Sequence, residues 1–332
     1  MTLSRRAFLA GAAVGAVPLA VPVPAGARKP VSAEEILRLF VGLPGDVAVK
    51  IVAPPRRSER GLLVESNAST RLFVGSAFKT FVLCEALRQA DTPDVVQTIS
   101  QRQLALDASV WSVDSATFNP PHLTGLVSER TALEAMILHS DNTGADMSIK
   151  LVGPDHVRGF IASAGLTNTL VPDSTRVFFG YLLGAPDYKT FTWDDLVAAA
   201  DDPIVNSPLN PVETLASSAD DLVSYYARAL QGEFFQNRET LNDFRRILAL
   251  ADAIWLVPLP LGVSAFVKGG SIDVPGFHAV CVPGGMFFDG RWVYFCLTLN
   301  WYATAETDPN TVTAFAAAAS EALELVKDAL SD

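Results

Sequence analysis

Ser76 and Lys79 are the first pair in this chain with both the types and the spacing for chemistry. They stand in Gly75-Ser76-Ala77-Phe78-Lys79, where an extended apolar stretch (Leu72, Phe73, Val74) meets a helix-like one (Phe78, Phe81, Val82, Ala86, Leu87). Residues three apart share a helix face, so both side chains are expected to project together from a first turn. A serine hydroxyl is a weak nucleophile at neutral pH, and a lysine whose charge is disfavoured by burial or by cationic neighbours can accept its proton. Helix N-terminal amides favour negative charge developing beside them. Taken singly, the tetrad fits an exposed surface helix equally well.

Two further motifs follow in order. Ser140-Asp141-Asn142 comes after a predicted helix end, and Lys268-Gly269-Gly270-Ser271 is expected at the end of a strand. Alone, the first also reads as a helix stop with Asx-turn chemistry, and the second as an ordinary strand end. The histidines His122, His139, His156 and His278 are scattered singly, without the spacing of a metal site. Trp111 is expected either to line a cleft or to pack as a core aromatic.

The elements that must position these residues can be read from pattern and caps. Ser32-Ala33-Glu34-Glu35 has the form of a capping box before a short helix through Phe40. Strands are expected at Asp46 to Val52 and Gly61 to Glu65, parted by a polar turn. Ser128 is placed to cap a helix through Leu138, Pro154 to open another, and Gly165 to end it. Thr167 to Pro211 lacks clear periodicity and reads as a long functional loop. Ser217 or Ser218 is expected to cap a helix carrying Leu222, Val223, Tyr226 and Leu230, with a second from about Arg238 to Leu250. Strands at Val263 to Lys268, Phe277 to Val282 and Trp292 to Asn300 precede a final helix, Val312 to Leu330. An Asp289-Gly290 hairpin turn would set Cys281 opposite Thr298 and Cys296 opposite Pro283. Strands at both ends with helices between them imply an α/β (α+β) chain. Its single sheet is built from N- and C-terminal segments (about 28–90 and 215–332), beside a helical lobe (about 91–214).

The chain has 332 residues, 49% hydrophobic and 18% charged, enough for a sizeable core in one large domain or two intimate subdomains. A net charge of −11 without a basic stripe excludes nucleic acid and anionic membrane surfaces as expected partners. Residues 1–27 read as an export signal: Arg5-Arg6 before Phe8-Leu9, an apolar run to Val23, and Ala25-Gly26-Ala27 for cleavage. The paired arginines resemble a twin-arginine signal, which makes the mature protein, from residue 28, periplasmic or secreted. The apolar run is too short for a membrane span, and no other stretch is long enough. Cys84, Cys281 and Cys296 are too few and scattered for a disulfide framework or zinc site, and are expected as buried free thiols.

Ser-x-x-Lys, Ser-Asp-Asn and Lys-x-Gly in this order form the signature of class A β-lactamases and penicillin-binding proteins. On these motifs the chain resembles the penicillin-recognising serine hydrolase superfamily (β-lactamase/transpeptidase-like), most closely its class A branch. The resemblance spans essentially the whole mature chain. It implies Ser76 as nucleophile, Lys79 as its base or part of its proton relay, and Ser140 as a hydroxyl shuttle between Lys79 and Lys268. Asn142 would hold Lys79 and a substrate amide, and Lys268 would face a substrate carboxylate. Gly270 belongs to the strand motif, and the amides of Ser76 and Ser271 would form the oxyanion hole. It implies a small-molecule substrate (a β-lactam, peptide or ester). No metal or cofactor is expected, and the sequence does not fix the oligomeric state, a monomer being the expectation.

Two departures stand out. Gly269 replaces the hydroxyl residue usual after the strand lysine, which removes a contact to the substrate carboxylate unless Ser271 supplies it. The family's Ω-loop glutamate, which activates the deacylating water, has no counterpart, because no glutamate lies between Asp141 and Val212. Matching Thr169-Leu170-Val171 to the loop entry puts Thr175 at that position, and matching Thr175-Arg176-Val177 puts Tyr181 there. Asp173, Asp187, Asp194 and Asp195 are the candidate replacements, with Asp194 and Asp195 first; Thr192 before those two acids reads equally well as a helix N-terminus. The expected function is an exported serine hydrolase acting through an acyl-enzyme. The alternatives are a D-alanyl carboxypeptidase or esterase, or a binding protein that acylates without efficient turnover.

Overall fold

The hairpin at Asp289-Gly290 organises the sheet. Both residues have positive φ (47° and 72°), the backbone of a two-residue turn whose twist matches its strands. It joins β9 (Phe277–Phe288) to β10 (Arg291–Trp301) in the expected register, with Cys281 opposite Thr298 and Cys296 opposite Pro283. The three cysteines are free and buried. This computed structural model describes residues 31–56 and 61–331, so the expected signal segment lies outside the described residues.

β1 (Asp46–Ala53) pairs with β10 and with β2 (Leu62–Ser66), all antiparallel, giving the order β2-β1-β10-β9. Beyond β9 come β7 (Ser264–Val267) and β8 (Gly270–Val274). Lys268 directly follows the end of β7, as the sequence placed it. The structure adds β8, which carries the edge on in the same register, Val267 opposite Gly284 and Gly270 opposite Cys281, with a break at Lys268-Gly269. The Lys268 amide donates to the Pro283 carbonyl (3.4 Å), and Pro283 has no N–H to return. The interruption of the ladder at Lys268-Gly269 therefore falls opposite a proline on the neighbouring strand.

β9 and β10 are buried along nearly their whole length, so the sheet is covered on both faces. α9 (Ala219–Leu230), capped by Ser218, packs on β1, β9 and β10. α12 (Pro309–Leu330) adds Phe315, Ala319, Leu323 and Val326 to the core, with Phe315 edge-on to Phe40 beyond α1 (Ala33–Arg38). The helical part is built around α2 (Lys79–Gln89), buried from Lys79 to Leu87. It packs on α4 (Glu129–Leu138), α5 (Asn142–Val152), α6 (Pro154–Ser163) and α10 (Arg238–Leu248). Ser128 caps α4 and Pro154 opens α6 as expected.

Thr167 to Pro211 is more regular than its sequence implies. It contains α7 (Thr175–Leu182), capped by Ser174, a 3₁₀ turn at Tyr188–Thr190, and α8 (Trp193–Ala198). Thr192 and Asp195 form a reciprocal capping box, so the acid pair serves the helix N-terminus.

The segment before Ser76 is clamped from two sides. β3 (Leu72–Phe73) pairs with β6 (Ala216–Ser217), and the Val74 amide donates to Leu215 (2.8 Å). On the other side the Asn300 amide group accepts from the Phe73 N–H (2.8 Å) and donates to its carbonyl (2.9 Å). Asn300→Leu leaves both buried backbone groups without partners and should lower unfolding free energy by about 2–4 kcal/mol. Urea denaturation measures this, and a loss below about 1 kcal/mol would show that the clamp is not needed.

Candidate active site

Lys79 begins α2 and is fully buried. Its amine donates to the Ser140 carbonyl (2.5 Å) and Asn142 Oδ1 (2.7 Å), and lies 3.3 Å from Ser140 Oγ. These acceptors sit at one tight corner. α4 ends at Leu138, Ser140 takes a left-handed backbone (φ 56°), and Asp141 caps α5 by accepting from the Gly144 amide. A second Asp141 oxygen accepts from Thr117 and Phe118, which pins the preceding loop to the corner.

Burial pushes the Lys79 pKa down to about 7, helped by the charge of Lys268 and opposed by Asp141, Asp146 and Asp114. Lys268 is also buried and is lowered to about 8, opposed by Asp252. A neutral Lys79 has two N–H donors and one lone pair. With the donors on Ser140 O and Asn142 Oδ1, the lone pair is left on the side of Ser140 Oγ and the cleft. That arrangement can take and pass a proton.

Ser76 lies on a 3₁₀ turn, Gly75–Phe78, that runs directly into α2, and it is half-buried. Gly75 (φ 51°) and Gly270 let this turn meet β8 backbone to backbone. A Cβ on Gly270 would fall 2.1 Å from the Val74 carbonyl and 2.5 Å from the Ser76 nitrogen; one on Gly75 would fall 2.7 Å from the Ser271 nitrogen. The close approach sets the backbones of Ser76 and Ser271 side by side.

Of the residues singled out from sequence, Lys79, Ser140 and Asn142 touch directly, and Ser76, Gly270 and Ser271 adjoin through backbone. Lys268 stands within electrostatic reach of Lys79, but its amine donates to the Gly269 carbonyl (2.9 Å) rather than to Ser140. The missing hydroxyl at Gly269 has a steric counterpart: a Cβ there would meet the Ala253 methyl at 2.8 Å, on α11 (Ala253–Leu256). Ser271 is exposed and is the remaining hydroxyl beside that position.

A model of the β-lactamase enzyme family matches residues 33–252. The chain belongs to this family. Its fold is shared with the TLA-1 extended-spectrum β-lactamase (15% identity, TM-score 0.68, 90% of this chain and 98% of that one). The class A β-lactamase from Mycobacterium abscessus superposes at TM-score 0.65 (16% identity, 90% and 99% covered), and PBP-A at 0.62 (16% identity, 90% and 94% covered). No curated protein matches the chain by sequence.

Neither position matched from the sequence to the family's water-activating glutamate, Thr175 or Tyr181, holds a carboxylate. Thr175 is buried, gives its N–H to Asp146 Oδ1 (2.7 Å) and pairs its hydroxyl with Ser112 Oγ (2.8 Å). Tyr181 stacks edge-on with Tyr188, Asp173 pairs with Arg158 and Lys189, and Asp195 is held by Thr192. None of the loop aspartates is among the largest charge effects on Lys79; Asp114, which carries no motif, is. Trp111 packs edge-on to Trp193 (5.8 Å), which ties the Asp114 loop to α8.

Gly270→Ala should separate the two amides and slow acylation of Ser76 by about 10²-fold or more. Single-turnover labelling would measure it, and a change of less than about threefold would remove these amides from the account.

Proposed function

We propose that the chain is an exported serine hydrolase that forms an acyl-enzyme at Ser76 with amide or ester substrates, β-lactams among them. The observation that carries this reading is a fully buried Lys79, its pKa lowered to about 7, in contact with Ser140 and Asn142 at the start of the Ser76 helix. Neutral Lys79 takes the Ser76 proton as Oγ attacks the carbonyl carbon, and the new oxyanion lies against the Ser76 and Ser271 amides. Lys79, now an ammonium, returns the proton through Ser140 Oγ to the departing nitrogen, so that bond breaks without leaving an amide anion. Lys268 supplies positive charge for a substrate carboxylate.

The absence of a glutamate between Asp141 and Val212 favours a second, kinetic reading, in which the protein acylates readily and deacylates slowly. Loss of a general base typically costs on the order of 10²- to 10⁴-fold in rate. A D-alanyl carboxypeptidase or esterase uses the same first step with a different acyl donor. Among the described residues no helix is long and apolar enough to cross a membrane. Export by the twin-arginine route rests on Arg5-Arg6, and replacing both with lysine should leave the protein inside the cell.

Intact mass spectrometry after mixing with a penicillin and with a chromogenic ester tests the reading. Ser76 should carry a persistent adduct that Ser76→Ala abolishes, and absence of label from every donor would reject the proposal. Acylation should rise with pH through about 7 as Lys79 loses its proton, then fall above about 8 as Lys268 loses its charge. A rate flat from pH 5 to about 9 would exclude Lys79 as the base.

A further inference from the structure

The cleft wall beside Lys268 is made by a stretch that no motif marks. Between Arg246 and Lys268 the chain has no lysine, arginine or histidine, and Asp252 is its one charged residue. The stretch bridges the helical part and the sheet. The Asp252 amide donates to the Leu138 carbonyl (3.1 Å), where α4 ends just before the Ser140 corner. The next residue, Ala253, stands against Gly269, between β7 and β8. Ser320 on α12 holds the far end by donating to the Pro258 carbonyl (2.6 Å). Leu256 lies three residues after Ala253, on the same side of α11, and is 49% exposed. Pro258 and Leu261 follow it at the surface.

We propose that this wall selects acyl donors whose leaving group is uncharged and apolar, so that neutral esters are better substrates than compounds with a carboxylate on the leaving group. The proposal rests on the acyl-enzyme reading above and narrows its substrate class. The departing atom takes its proton from Ser140, so the group it carries lies on this side of the cleft. A carboxylate here would meet the charge of Lys268, but that amine is buried and donates to the Gly269 carbonyl. Asp252 already offsets part of that charge. Position 269 has no hydroxyl, and the Ala253 methyl fills the space where a side chain there would begin. The exposed Ser271 hydroxyl serves a neutral carbonyl as well as a carboxylate. An anion stripped of water with so few donors is costly, whereas an alkyl or aryl group covers Leu256 and gains by leaving water.

The test measures Ser76 labelling by two chromogenic esters with one acyl group and leaving groups of equal size, one carrying an alkyl group and the other a carboxylate. Each rate is divided by that ester's rate of alkaline hydrolysis, which removes intrinsic reactivity. The native protein should favour the alkyl ester by about tenfold or more. Leu256 is exposed enough to be changed without unfolding the chain. Leu256→Arg should raise labelling by the carboxylate ester and narrow the ratio roughly three- to tenfold, an effect that added salt weakens. Leu256→Ser should narrow it by slowing the alkyl ester alone. A native protein that labels both esters equally, or favours the carboxylate, would overturn the proposal. So would a ratio that neither variant moves, whatever happens to the separate rates. Labelling of Ser76 by both esters without preference defeats this proposal alone. If neither ester labels Ser76, the acyl-enzyme reading fails with it.

Discussion

The burial of one amine governs this structure. A lysine taken out of water either finds compensating acceptors or gives up its charge, and Lys79 is held between these outcomes. Ser140 O and Asn142 Oδ1 satisfy its donors, while burial and Lys268 drive the proton off. The α4–α5 corner exists in a form that serves this amine. Ser140 adopts positive φ, so its carbonyl and hydroxyl both face Lys79, and Asp141 fixes the corner by capping α5 and gripping the Thr117-Phe118 backbone.

A buried base is useful only beside a nucleophile and a place for negative charge. Both depend on how closely the Ser76 turn approaches the edge strand. Gly75 and Gly270 permit a backbone contact that any side chain would block. Asn300 and β6 hold the strand before Ser76 from either side, and the ladder breaks opposite Pro283 where Lys268 leaves it. The sheet thus delivers the amides and the second cation, and the helices deliver the amine and its acceptors. The family match and the shared class A β-lactamase fold agree with this division.

What could be read from the sequence was whatever local chemistry determines. Asp289-Gly290 has one good way to turn a hairpin, so the register followed and placed the cysteines. Ser128, Pro154 and Ser218 mark helix starts because their hydrogen-bonding roles are local. The continuation of the edge into β8 was hidden because its break at Lys268-Gly269 falls opposite Pro283 on another strand, a pairing that only the folded sheet shows. α7 and α8 were hidden because short helices leave little periodicity, although Thr192 already announced one of them.

The charge state of Lys79 is the direct test. Titration of ¹³Cε-labelled lysine by NMR, with the Lys79 resonance assigned from its loss in Lys79→Arg, should give that resonance a midpoint near pH 7. A Lys79 resonance that stays in the ammonium position to pH 9 or above would contradict the account. It would mean that the acceptors around the amine outweigh its burial and that Lys79 cannot serve as the base.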